Sequence, residues 1–194
     1  MSKIWKFIIL SLYLLSTTPL LANSPEFESW LSQFKIKAVK NGISQITIDN
    51  AFQNVKFLDR VIVYDNRQPE FFEKTNIYVS KRATNISVKK AKKKLKENLD
   101  LFIKVEKEFN VEKEIILALW SIETNYGQNF GKMDIISSLA TLSFDKRRSA
   151  YFTRELLTLL SLMDKGIVTK KMLYGSWAGA LGNFQFMPST IVNY

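Results

Sequence analysis

The feature that most constrains this chain is an unbroken apolar run, Ile115-Ile116-Leu117-Ala118-Leu119-Trp120, followed at once by Ser121-Ile122-Glu123-Thr124-Asn125-Tyr126-Gly127. A helix that is apolar nearly all round belongs at the centre of a fold, so this segment is expected as a central, buried helix. Glu123 then sits near its end. A carboxyl group in apolar surroundings resists ionisation, which suits a general acid. The plainer reading is a glutamate at a helix end that points to water.

Composition narrows the chemistry. The 194 residues suffice for one domain with a substantial core. There is no histidine and no cysteine. Disulfides, thiolate nucleophiles and histidine-dependent triads are therefore excluded, and the commonest metal ligand is missing. Any catalysis must rest on carboxylates, hydroxyls, lysine or tyrosine.

The formal net charge is +10, and much of the excess lies in Lys89-Lys90-Ala91-Lys92-Lys93-Lys94-Leu95-Lys96. Such a run reads either as one solvated helix face or as a surface for nucleic acid, anionic lipid or an acidic polymer. Lys3 and Lys6 precede the short apolar stretch 7–15, and Ser16, Thr17, Thr18 and Pro19 follow it. A basic start, a short apolar core and a small residue at the exit describe a secretory signal peptide, here residues 1–22 with cleavage after Ala22. The alternative is an uncleaved anchor, but the stretch is short for a membrane span. Export makes nucleic acid a poor partner and a polyanionic envelope polymer a better one. Without cysteine the mature protein has no lipid anchor on an N-terminal thiol.

Along the rest of the chain, residues 26–39 read as a helix with Phe27, Trp30, Leu31, Phe34 and Ala38 on one face, stopped by Asn41-Gly42. A short helix is expected over 47–54. Val61, Ile62, Val63 and Tyr64 have strand propensity, and 71–79 is helical or extended. Ser87 can cap one long helix reaching about Lys107, with Val88, Ala91, Leu95, Leu99, Phe102 and Phe109 as its buried stripe. The apolar helix begins near Val111. Gly127 and Gly131 open a loop, and further helices follow over 134–142 and 147–163. Residues 174–187 are small, glycine-rich and aromatic, and Pro188 suits the first turn of a last helix. The fold class is mainly α.

Three segments then resemble one family, the lytic murein transglycosylase B family of bacterial cell-wall enzymes. The first is Asp65-Asn66-Arg67-Gln68-Pro69-Glu70-Phe71. The second is Ile122-Glu123-Thr124-Asn125-Tyr126-Gly127, with Gly131-Lys132 and Leu139-Ala140-Thr141-Leu142-Ser143-Phe144 after it. The third is Gly175-Ser176-Trp177-Ala178-Gly179-Ala180-Leu181-Gly182-Asn183-Phe184-Gln185-Phe186-Met187-Pro188-Ser189. Their order and spacing extend the resemblance from about Phe27 to Tyr194.

The resemblance implies a lysozyme-like helical core over 86–194, preceded by a helical extension over 23–85. It implies a periplasmic enzyme acting on peptidoglycan glycan strands. The bond cleaved is the β-1,4 link between N-acetylmuramic acid and N-acetylglucosamine, and the product ends in 1,6-anhydro-muramic acid. Glu123 falls on the family's single catalytic acid/base. Ser176 and Gln185 match polar cleft residues, and Arg147 and Arg148 match a basic pair facing the glycan or its stem-peptide carboxylate. Tyr126, Phe184 and Met187 fall on or beside cleft-wall positions. Family members continue beyond the position of Tyr194, so the core is expected to be incomplete at the C-terminus. No Asp-x-Asp-x-Asp-Gly loop occurs, so no metal and no cofactor is expected.

One carboxylate suffices if the substrate brings its own nucleophile. Ordinary glycosidases need two. Here Asp134 and Asp145, the next acids along the chain, look like helix-start or loop residues. The alternatives to an active transglycosylase are an inactive remnant, a non-catalytic peptidoglycan-binding protein, and a muramidase that uses water. Without the resemblance, Ser176 and Gln185 read as satisfying loop backbone groups, and Arg147 and Arg148 as solvated helix-start charges.

Overall fold

The structure, a computed structural model, describes residues 23–67 and 74–194. The expected leader and the 68–71 part of the first motif lie outside the described residues. Among the described residues there are ten α-helices and one two-stranded ribbon, so the fold is mainly α. No described helix is long and apolar enough to cross a membrane.

Local signals set most helix starts. In α1 (Pro25–Lys40), the Ser24 hydroxyl accepts from the Phe27 backbone N–H, Pro25 fills the first position, and Glu26 and Glu28 occupy the positive end. Ser44 caps α2 (Gln45–Phe52) in the same way, two residues earlier than the sequence suggests. The strand-prone residues 61–64 are helical, in α3 (Asp59–Asn66). Helical spacing puts Val61 and Asp65 on one inward face, both buried, while Val63 and Tyr64 face out. Burial of that face overrides β propensity. Residues 75–82 form α4 (Thr75–Arg82).

The long helix expected from Ser87 to Lys107 is two helices. α5 (Asn85–Glu97) is capped by Thr84, and α6 (Leu99–Phe109) follows a break at Asn98. The expected buried stripe is only partly covered: Phe102 is buried, Ala91 and Leu95 are half-buried, and Val88, Leu99 and Phe109 are exposed.

The largest correction concerns the apolar segment. It forms α7 (Lys113–Thr124), but only Leu117 and Thr124 of that helix are buried. Ile115, Leu119 and Ile122 are about half exposed or more, at 50, 48 and 54%. The central helix is instead α8 (Ile135–Phe144), buried from Ile135 through Ser143. Its small residues Ser137, Ser138, Ala140, Thr141 and Ser143 allow close approach by neighbours on every side. Two of its hydroxyls also serve the backbone: Ser137 Oγ accepts from Lys56 N at 3.1 Å and Thr141 Oγ1 from Leu58 N at 3.0 Å. Asp134 caps this helix by accepting from Ser137 N at 2.7 Å.

α9 (Ser149–Asp164) packs along α8, and the short α10 (Pro188–Asn193) packs on α9. Buried Glu155 of α9 accepts from the backbone N–H and hydroxyl of Ser189, at 2.9 and 2.6 Å, in the first turn of α10. One apolar core thus joins α1 to α3 with α8, α9 and the 173–181 segment. A smaller cluster of Phe102, Leu117 and Tyr126, flanked by Ala91, Leu95, Ile116 and Trp120, holds α5, α6 and α7 together. β1 (Met133–Asp134) pairs antiparallel with β2 (Tyr174–Gly175) and brings the second and third motifs together.

Candidate active site

Glu123 is the penultimate residue of α7, and it is exposed. The burial anticipated from the sequence is therefore absent. The plainer reading, a helix-end glutamate open to solvent, describes its position. Among the described residues its carboxylate has no hydrogen-bond or ion-pair partner.

The turn after Glu123 is held tightly. Thr124 is fully buried. Its Oγ1 donates to the Asn183 carbonyl at 2.8 Å and accepts from Gly127 N at 3.0 Å. Trp120 Nε1 donates to Asn183 Oδ1 at 3.0 Å. The last turn of α7 is thus tied twice to one residue of the glycine-rich loop.

Three successive residues then adopt positive φ: Asn125 at 52°, Tyr126 at 64° and Gly127 at 74°. Only the third is a glycine. Left-handed non-glycine residues are uncommon and cluster at constrained sites. The turn reverses the chain tightly, with Gln128 N and Asn129 N both donating to Thr124 O at 2.9 Å. Tyr126 is consequently driven inward, buried against Trp120 with ring centroids 5.5 Å apart and near-perpendicular planes.

The glycines let the two loops touch. A Cβ on Gly131 would stand 2.0 Å from the Gly175 carbonyl oxygen, and one on Gly179 would stand 2.4 Å from Leu139 Cδ2. At Gly131 the obstacle is backbone of the other loop, so no side chain fits; at Gly179 it is the Leu139 side chain of α8, which would have to move.

Ser176 and Gln185 both face this junction through backbone contacts. Ser176 Oγ accepts from Ala178 N at 3.1 Å. Gln185 has φ 50°. Its Nε2 donates to Gly182 O at 3.0 Å and Phe130 O at 3.3 Å, linking the two loops. Each therefore does satisfy loop backbone groups. The Ser176 hydroxyl proton and the Gln185 Oε1 remain without a partner among the described residues. Phe184 stacks on Phe186 with centroids 6.0 Å apart. Met187 is half-buried and forms the N-cap position of α10.

Arg147 and Arg148 lie apart from that junction, where α9 begins. Both reach Asp65 of α3, which is only 4% exposed. Arg147 Nε donates to Asp65 Oδ2 at 2.8 Å, and Arg148 Nη2 reaches Oδ1. The Arg148 guanidinium also lies 4.8 Å from the Phe152 ring centroid. The pair thus has a carboxylate within the protein. Asp65 opens the first motif, but its burial and its role as partner of Arg147 and Arg148 are not evident from the sequence, because it directly follows a strand-prone run. The available signal is the helical spacing from Val61.

Among the grooves along α7, two reach the loops that follow it. One, about 280 Å³, lies against α6 and is lined by Leu101, Phe102, Val105, Trp120, Asn183 and Phe184. The other, about 330 Å³, lies against α5 and includes Arg82, Ser87, Lys90, Ser121, Ile122 and Tyr126. A larger cavity of about 500 Å³ between α2 and the segment after α9 contains none of Glu123, Ser176 or Gln185. Those three residues do not line the two smaller grooves either; the groove against α6 takes Asn183 and Phe184 from the third motif, and the groove against α5 takes Ile122, Asn125 and Tyr126 from the second.

Comparison with known proteins places the whole chain beyond residue 25 in one family. The family described as Transglycosylase SLT domain matches residues 26–194. Membrane-bound lytic murein transglycosylase B of Escherichia coli strain K12 is 30% identical, over 89% of this chain and 50% of that protein. The chain thus spans about half the length of that curated relative. Among solved structures, SltB3 of Pseudomonas aeruginosa superposes with a TM-score of 0.83 at 32% identity, covering 88% of this chain and 46% of that one. It has been solved with NAG-NAM-pentapeptide and with NAG-anhNAM-pentapeptide. The Escherichia coli lytic transglycosylase Slt35, in complex with bulgecin A, gives a TM-score of 0.71 at 30% identity, covering 89% of this chain and 55% of that one.

Proposed function

Because this chain belongs to the transglycosylase SLT domain family and shares the lysozyme-like helical core of its structural neighbours, we propose that it is a peptidoglycan lytic transglycosylase with Glu123 as sole acid/base. The observation that carries the reading is the end of α7. An exposed, unpartnered Glu123 stands beside a fully buried Thr124 that anchors it to the glycine-rich loop at Asn183.

The chemistry runs in two proton transfers. Protonated Glu123 donates to the glycosidic oxygen between N-acetylmuramic acid and N-acetylglucosamine, and the C–O bond to the leaving sugar breaks. The glutamate then takes the proton of the muramoyl 6-hydroxyl as that oxygen attacks the anomeric carbon, leaving a 1,6-anhydro end. Intramolecular attack carries the advantage of proximity. A neighbouring N-acetyl oxygen offsets the oxocarbenium charge, as in the substrate-assisted exceptions to two-carboxylate catalysis.

The fate of the next acids along the chain supports a single carboxylate. Asp134 is occupied as the cap of α8, and Asp145 accepts from Arg147 N at 3.0 Å. The free proton of Ser176 suits an N-acetyl carbonyl or the Glu123 carboxylate, and Gln185 Oε1 suits a sugar hydroxyl. Tyr126 supports the wall from beneath, while Phe184 and Met187 border the glycan path. Arg147 and Arg148, half-exposed around Asp65, offer their outer N–H groups to a stem-peptide carboxylate. Residues 1–22 export the protein to the periplasm, and the extension over 23–85 serves the 86–194 core through the apolar core they share.

Digestion of purified sacculi, with mass spectrometry of the soluble products, tests the reaction class. Anhydro-ended muropeptides are expected. Reducing ends would establish a water-using muramidase, and binding without product a non-catalytic murein-binding protein; either overturns the proposal.

A further inference from the structure

Among the described residues, Lys90 is the lysine of the α5 run that reaches the turn after Glu123. Its ammonium donates to Asn125 Oδ1 at 2.5 Å and to Gln128 Oε1 at 3.1 Å. Asn125 Nδ2 in turn donates to the same Gln128 oxygen at 3.0 Å. The charge also lies 5.1 Å from the ring centroid of Tyr126. Lys90 is half-buried, whereas Lys89, Lys92, Lys93 and Lys96 are exposed.

We infer that Lys90 is a positioning residue for the reaction proposed above: it straps α5 to the left-handed turn 125–127 and so fixes the direction in which the end of α7 presents Glu123. The inference rests on that functional reading for its catalytic consequence. The strap itself does not.

Two physical reasons favour this role. First, the turn contains two successive non-glycine residues at positive φ, a conformation that survives only where surrounding contacts over-determine it. Thr124 and Asn183 secure its inner side. Among the described residues, Lys90 secures the outer side from another helix, gathering the side chains of both Asn125 and Gln128. Second, Asn125 is the C-cap of α7, where the helix dipole presents its negative end. A cation held there stabilises the last turn, one residue beyond which the chain must reverse. Lys90 does not touch the sugar. It acts through Asn125.

The test compares Lys90→Met, Lys90→Arg, Asn125→Ala and the double variant with the unaltered protein. Lys93→Met serves as a control for loss of basic charge. Two readouts are taken: amide hydrogen exchange across residues 125–128, and kcat and KM on soluble glycan strands. Lys90→Met is expected to speed exchange in the turn at least ~ten-fold, with no change in exchange within α8. It is expected to lower kcat about ten- to a hundred-fold with KM nearly constant, the cost of a small misplacement of a catalytic group. Lys90→Arg restores most of both, Lys93→Met changes neither, and the double variant is no worse than the worse single one. Unchanged exchange in Lys90→Met overturns the strap. Faster exchange with unchanged kcat overturns the positioning role, as does a loss that appears only in KM or equally in Lys93→Met. An unaltered protein that releases no anhydro product would refute the functional reading instead, while the exchange data still decide the strap.

Discussion

The hydroxyl of Thr124, the fully buried residue after the proposed acid, donates to the main-chain carbonyl of Asn183 across 59 residues of sequence, at 2.8 Å. This bond ties α7 directly to the glycine-rich loop. It also makes the position of Glu123 depend on a segment that lies beyond α8 and α9 in the chain.

Thr124→Val keeps the shape and removes the hydroxyl. The Asn183 carbonyl and Gly127 N–H then lose their buried partner, so a loss of about 1–3 kcal/mol is expected. Urea denaturation measures it. Activity should fall further than stability alone accounts for, because the loop beside Glu123 is released.

Gly131→Ala should be far more damaging than Gly182→Ala. Both glycines have positive φ, but a Cβ at 131 meets a backbone carbonyl at 2.0 Å, whereas one at 182 meets nothing within 4 Å. The second change should cost only the left-handed penalty of about 1–2 kcal/mol. The first should exceed about 3 kcal/mol, in the range reserved for strain and overpacking. Thermal unfolding of the two variants side by side checks the order.

Asp65→Ala leaves Arg147 and Arg148 without their shared carboxylate. Removing one partner of a fully buried pair costs several kcal/mol, but here the arginines are 46 and 37% exposed at the side chain. Water takes over part of the lost interaction, so about 1–3 kcal/mol is expected. Arg147→Ala alone should cost less, since Arg148 still neutralises Asp65. A double-mutant cycle on denaturation midpoints separates the two contributions.

Acid should loosen the start of α7. The Lys113 backbone N–H, followed by its ammonium, holds the Glu106 carboxyl below its ordinary value of 4.5. A carboxyl lowered in the folded state stabilises above its unfolded pKa, and that contribution fades as pH falls through the folded one. Stability should therefore drop below about pH 4.5, and Glu106→Gln should flatten that part of the profile. A pH series of urea midpoints for both proteins checks it; parallel profiles would contradict it.

Some helix starts are legible in the chain because their signals are local. Asp134 and Pro188 mark helix starts by chemistry that acts within one turn, whereas the cap expected at Ser87 falls at Thr84. The motif residues are also legible as a set, and β1–β2 pairing brings their loops together. Three things are not. The apolar roundness of α7 suggests a central helix, but Ile115, Leu119 and Ile122 face outward, while the small-residue helix α8 takes the centre. Composition alone cannot tell an apolar wall from an apolar core. The single helix from Ser87 to Lys107 breaks at Asn98 because α5 and α6 each turn to cover a different part of α7. Finally, Asp65 and Lys90 acquire their roles from partners 82 and 35 residues away, which no window of sequence contains.

The most direct test of the central claim is Glu123→Gln. The substitution keeps size and solvent exposure while removing the titratable proton. With circular dichroism and thermal midpoint matching the unaltered protein, the variant should release no anhydro-muropeptide from sacculi, and the unaltered protein should release them. Anhydro products from the folded Gln variant at an undiminished rate would contradict the assignment of Glu123 as acid/base.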